Sequence, residues 1–232
     1  VFRSKKEENV LKGIRLFEPF SKEELGNICK IGGPTAIQGM VYCMISMVLT
    51  RMVAAFGAEA IATQRVGGQI ESVSWNTADG FAAALNAFVG QNYGAKKMDR
   101  VQKGYRISFW TVAIWGALIM LAFIIFPGPI AGVFFHEEKA MEIAISYLII
   151  IGFSEAFMCV ELMTIGALSG LGKTKLCSVI SITATSMRIP LAMVLSRTSL
   201  GLDGIWWALT LTSVAKGIIF YLTFRYQMRE KC

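Results

Sequence analysis

The sequence predicts an all-α, polytopic membrane protein, and three observations carry that expectation. It is 54% hydrophobic and only 17% charged, where soluble domains carry about 25% charged residues. Its apolar residues gather in six stretches, each close to or above the roughly 20 residues a helix needs to cross a bilayer. Most of its 23 Lys and Arg fall in segments that six spans would place on one side. A formal net charge of +7 would suggest nucleic acid as a partner in a soluble protein. Here the positive-inside bias accounts for the excess, so the expected partner is the lipid bilayer and no nucleic acid.

Residues 1–30 are charged and patchily amphipathic, which predicts a cytoplasmic interfacial helix or linker. Ser21 with Glu24 three residues on has the pattern of a capping box. The first span covers about 31–53 and opens on Gly32, Gly33 and Pro34, proline being tolerated in a first helical turn. Gln38 is the strongly polar group of its first half. Met40, Met44 and Met47 follow i, i+4, i+7 and share a face, either ordinary packing or the wall of an adaptable cavity.

The second span, 60–95, is unusual. Gln64, Glu71, Trp75, Asp79 and Asn86 follow steps of seven, four, four and seven and are predicted to share one face. Ile61, Val66, Ile70, Val73, Phe81, Leu85 and Phe88 make the other. An ionisable residue at bilayer depth costs roughly 2.5–3.5 kcal/mol on insertion scales. Two on one face imply that the face meets water, an ion or a substrate and not lipid. A polar contact between helices is the plainer alternative for each.

The third span, about 107–126, is almost purely apolar and stops at Pro127, Gly128 and Pro129. An acidic loop follows. The fourth span, about 140–168, carries Glu155 and Glu161. The fifth, about 176–196, contains Arg188 and Pro190, and Arg188 reads best as a counter-ion for one of the acids. The sixth, about 202–224, has Asp203 at its start and Lys216 inside. The core of the protein is thus a six-helix unit over 31–226, with 227–232 as a short tail. Six spans put both ends of the chain with the basic 94–106 loop, Lys173 and Lys175, which predicts both termini in the cytoplasm.

The remaining motifs exclude more than they suggest. Cys29, Cys43, Cys159, Cys177 and Cys232 are odd in number and lack CxxC spacing, so neither a disulfide framework nor a zinc site is expected. His136 stands alone in a loop, and no metal or cofactor is expected. GALSGLGKT lacks the glycine a phosphate-binding loop needs and follows a membrane helix, not a strand. Gly166 and Gly170 read instead as a small-xxx-small helix contact, and Gly172 as a helix stop. No hydrolase or metalloprotease motif is present. Glu71 and Asp79 lie about 12 Å apart along a helix, too far for a catalytic pair. No enzyme activity is expected.

GGPTAIQG at the opening of a span, AFGAEAIATQRVGGQIES, FVGQNYGAKKMDRV, GALSGLGKTK before a span with RIPLA, and LGLDGIWWAL together resemble the multidrug and toxic compound extrusion (MATE) transporters. The likeness runs from about Ile31 to Tyr226. That family has twelve helices in two lobes, and this chain resembles the second, helices seven to twelve. The resemblance implies export of organic, often cationic, drugs across the plasma membrane by alternating access. It implies Na+ or H+ as the coupling ion and a substrate cleft between lobes. The missing first lobe is then an expected partner, in the same chain or apart, and a chain opening on Val1 is expected to be a fragment. Glu71 stands in the IES segment, as in many bacterial members. Gln38 and Tyr42 stand where some members have an acid, NTADG departs from the usual proline, and Glu161 falls near the usual acid of its span. With this resemblance, Glu71, Asp79 and Glu161 are the expected cation or proton sites, and Gln38, Met44, Trp75 and Asn86 the expected substrate path. A lipid-linked oligosaccharide flippase and a non-transporting membrane scaffold are the alternatives.

Overall fold

The computed structural model describes residues 22–229. The first part of the linker, with Ser21 of the expected capping box, lies outside the described residues, as do the side chain of Glu24 and Cys232. Among the described residues there are nine helices and no strand. They are α1 (Lys22–Ala54), α2 (Ala58–Gly94), α3 (Met98–Ile125), α4 (Pro127–Gly132), α5 (Glu138–Gly152), α6 (Glu155–Gly170), α7 (Thr174–Ser186), α8 (Arg188–Ser196) and α9 (Leu202–Arg229). The all-α fold expected from composition is the fold observed.

The six expected spans are α1, α2, α3, α5 with α6, α7 with α8, and α9. The fourth is broken at Phe153 and Ser154, and its halves meet at 51°. The fifth is interrupted at Met187, where Pro190 removes a backbone donor and its ring crowds the carbonyl of Ser186 four residues back. Four segments are long and apolar enough to cross a membrane, namely Gly32–Ala54, Met98–Ile125, Thr174–Ser196 and Leu202–Arg229, and the bent pair makes a fifth. At 37 residues α2 has the length, but its polar side chains keep it below that apolar standard. α1 runs without a break from Lys22, so the boundary drawn at residue 30 is not marked by a change of structure.

α6 is the hub. It packs most extensively on α2, then on α3 and α9. Glycines permit the α2 contact: a Cβ on Gly166 would strike the backbone of Ala82, and one on Gly170 would lie 2.6 Å from the carbonyl oxygen of Asn86. The small-xxx-small reading of this pair is the observed contact. Gly172 has φ +76°, a left-handed conformation that ends α6 as expected.

The buried apolar residues form two clusters, one at each end of the bundle. One gathers Leu49, Val53, Ala131, Phe135, Tyr147, Ile205 and Trp206 around the turns after α1, α4 and α8. The other gathers Val89, Val101, Met163, Leu171, Phe220 and Phe224 around the turns after α2 and α6. Many large apolar residues point outward, among them Met47, Trp110, Ile114 and Val179, as a lipid-facing surface requires.

Candidate functional site

A cavity of about 930 Å³ opens between α1, α2, the α5–α6 bend, α7, α8 and α9. α1 contributes Gln38, Tyr42 and Ser46; α2 contributes Gln64, Arg65, Gln69, Glu71 and Trp75. Tyr147, Ser154 and Glu161 come from the bent span, and Ser181, Arg188, Ser213 and Lys216 close the wall. The volume is within the range of sites for drug-sized molecules, about 300–1,000 Å³. Charged and polar side chains thus stand among apolar ones in this wall, and ionisable residues inside a bundle of apolar spans mark a candidate functional site.

Two carboxyls face the cavity, each with a defined partner. Glu71 accepts a hydrogen bond from the Tyr147 hydroxyl. Glu161 pairs with Lys216, whose Nζ lies 2.7 Å from Oε1. Both members of that pair are buried, at 4% and 7% exposure, so each requires the other's charge. Arg188 donates from Nε to Thr212 Oγ1 at 3.1 Å and from an Nη to Ser213 Oγ at 2.8 Å. It interacts electrostatically with both Glu71 and Lys216. Arg188 is thus positioned by hydroxyls of α9 while its charge acts on Glu71, in keeping with the counter-ion role the sequence suggests.

A third carboxyl lies just behind the wall. Glu155 begins α6 at the bend, is fully buried, and neither of its oxygens meets a hydrogen-bond partner among the described residues. It is within electrostatic reach of Glu71, beside Ser74, whose hydroxyl pairs with Cys159 Sγ at 3.3 Å.

Of the residues expected at the site, Glu71, Glu161, Gln38 and Trp75 line the cavity; Asp79, Met44 and Asn86 do not. Asp79 and Asn86 are exposed on α2, and Met44 is 63% exposed on α1. The expectation of a single polar face on α2 is corrected here for a geometric reason. Each i+4 step overshoots a full turn by about 40°, so Asp79 is rotated about 80° from Glu71. Over the same stretch Ser74, Ala78, Ala82 and Leu85 are buried, and the polar stripe is carried around the helix away from the cavity. The Met40, Met44 and Met47 stripe is wholly exposed and does not form the cavity wall.

Tyr147, Lys216, Arg65 and Ser181 complete the site without having been expected there. Lys216 is a lysine inside an apolar span, and that alone marks it as a pairing partner for an intramembrane acid. Tyr147 and Ser181 carry no such signal, since both residue types occur throughout ordinary membrane helices. Cys29 and Cys43 are exposed, Cys159 and Cys177 are buried, and all four are unbridged.

Residues 34–194 match the MatE family model, over the stretch that builds most of this cavity. The chain belongs to the MatE family. Among curated proteins, a MatE chain of this kind is 28% identical over 211 residues to a probable multidrug resistance protein NorM of Thermotoga maritima. That alignment covers 87% of the chain and 45% of the relative. It is 24% identical to the probable multidrug resistance protein YoeA of Bacillus subtilis, covering 95% of the chain and 48% of that protein. The chain spans about half the length of the curated relatives it matches. Its fold superposes on a Vibrio cholerae MATE transporter, VcmN in the bent form, with a TM-score of 0.83 at 21% identity, over 90% of this chain and 48% of that one. A MATE crystal structure in the straight conformation superposes with a TM-score of 0.84 at 20% identity, over 94% of this chain and 50% of that one. Two of the MatE chain's relatives are thus named as probable multidrug resistance proteins, and a protein of the same fold as a MATE transporter.

Proposed function

We propose that this chain forms the second lobe of a cation-coupled exporter of organic compounds in the plasma membrane, working by alternating access against a first lobe. The cavity carries this reading: a drug-sized space walled by Glu71 and Glu161, with a tyrosine, an arginine and a lysine set against them. Glu71 and Glu161 are the proposed sites for Na+ or H+. A carboxyl between a hydroxyl donor and an open cavity can exchange a proton or small cation for its partner as the cavity opens and closes. Gln38 and Trp75 are the proposed cargo contacts on α1 and α2. No catalytic step is assigned to any residue of the site, and no cofactor beyond the coupling ion.

A flippase for lipid-linked oligosaccharides is the competing transport reading. It requires a strongly cationic wall to hold a diphosphate. Arg65, Arg188 and Lys216 do reach the wall, but two carboxyls, Glu71 and Glu161, share it with them, so it is not the strongly cationic wall a diphosphate needs. Efflux is the better fit.

Export is tested in drug-sensitive cells carrying the intact transporter. Ethidium efflux should fall to background in Glu71→Gln at unchanged expression. Full efflux from that variant would remove Glu71 from coupling. Absence of efflux from the unsubstituted transporter, with any of a panel of organic dyes, would leave a scaffold role as the better reading.

A further inference from the structure

The charge balance of the cavity wall bears on the chemistry of the cargo. Three cationic side chains, Arg65, Arg188 and Lys216, line it against two carboxyls, Glu71 and Glu161. Glu155, buried behind the wall, acts on Glu71, so Glu161 is the carboxyl directly paired with a cation of the wall.

Arg188 and Lys216 line one cavity and interact electrostatically with each other, and like charges facing one space inside a low-dielectric bundle are costly without an anion between them. Glu161 supplies one anion, through Oε1 alone; its Oε2 meets no partner among the described residues. An ammonium has three donors and a guanidinium five. Lys216 donates to Glu161 and Arg188 to Thr212 and Ser213, which leaves donors on both for an incoming group. Ser181, on α7, is 3% exposed, lines the same cavity, and its hydroxyl has no hydrogen-bond partner among the described residues. A buried hydroxyl without a partner is costly unless something fills its place.

We propose that Arg188, Lys216 and Ser181 form a subsite for an acidic group, so that the preferred cargo is an organic compound bearing a carboxylate or similar anion. This rests on the proposed transport of organic compounds through the cavity and narrows the class. Arg188 and Lys216 contribute charge-assisted donors, and Ser181 contributes a neutral one. Trp75 and Tyr42 line the same cavity and offer ring faces to the apolar body of the same molecule. A cargo whose only charge is a fixed cation, such as ethidium, meets Glu71 but gains nothing from this group and binds more weakly than an acid-bearing one.

The test compares two dyes that differ at one place: a rhodamine with a free carboxylate and its methyl ester, a permanent cation. Binding to the purified intact transporter is followed by fluorescence anisotropy. The free acid should bind about ten-fold more tightly than the ester, as expected for one or two charge-assisted hydrogen bonds. Lys216→Gln and Arg188→Gln should bring the ratio towards one. Glu161→Gln should widen it, because it removes the anion that competes for Lys216. A purely structural role for the ion pair would move Lys216→Gln and Glu161→Gln in the same direction. Equal or tighter binding of the ester, or a ratio that Lys216→Gln leaves unchanged, would overturn the subsite. Export of the two dyes from energised cells separates this from the transport reading. Acid-selective binding without export of either dye would remove transport and leave the subsite. Export of the ester with no preference for the acid in binding would do the reverse.

Discussion

Lys216 and Glu161 are two charges 2.7 Å apart in the interior of a helical bundle. Removing one member of such a pair leaves the other buried and uncompensated, which costs about 3–5 kcal/mol. Lys216→Met should therefore lower the unfolding temperature of the detergent-solubilised protein markedly. Lys216→Met with Glu161→Gln should recover much of the loss, because no charge is then left alone. A double variant no more stable than the single would mean the pair contributes through packing. Asp79 makes the opposite case. It is exposed and outside the cavity wall, so Asp79→Asn should keep ethidium efflux near the unsubstituted level where Glu71→Gln loses it. Loss of efflux in Asp79→Asn at normal expression would return that residue to the mechanism.

At the scale of the helices, the α2–α6 contact organises the bundle. Gly166 and Gly170 let α6 approach α2 so closely that a side chain at either position meets backbone and not a movable side chain. Backbone yields less readily than a rotamer, so Gly170→Leu should destabilise by about 1–3 kcal/mol, the usual cost of overpacking. The measurement is a thermal shift in detergent; an unchanged midpoint would mean that the helices separate without penalty. The α5–α6 bend works in a different way. It brings Ser154 to the cavity wall and Glu155 to the buried side of it. A straight span would have carried both residues past this level as part of one continuous helix.

At the scale of the whole molecule, the segments that share one side of the six spans are the basic ones, and this determines the expected orientation. A cysteine at Lys97→Cys, in the turn between α2 and α3, should be labelled by an impermeant maleimide only in inverted vesicles, and one at His136→Cys only in right-side-out vesicles. The background would lack Cys29 and Cys43, both exposed. The reverse pattern would turn the lobe over in the membrane.

Hydrophobic content, the all-helical fold and several of the turns were determined by the sequence alone, whereas the breaks inside 140–168 and 176–196 were not. Pro127, Gly172 and the basic loops act locally, through lost donors, permitted dihedrals and charge at the membrane surface, and none of these needs a neighbouring helix. Gly166 and Gly170 were legible for a similar reason, since small residues four apart are useful only where another backbone comes close. Which acids reach the cavity was decided by tertiary structure. Glu71 and Asp79 look equivalent in a string of letters, but about 80° of helix rotation and the burial of Ala78 and Ala82 against the bundle separate them. Glu161 and Lys216 are 55 residues apart in the chain, and no local pattern pairs them. Only the packing of α6 on α9 brings the carboxylate to the ammonium, and with Arg188 beside them it sets the charge of the wall.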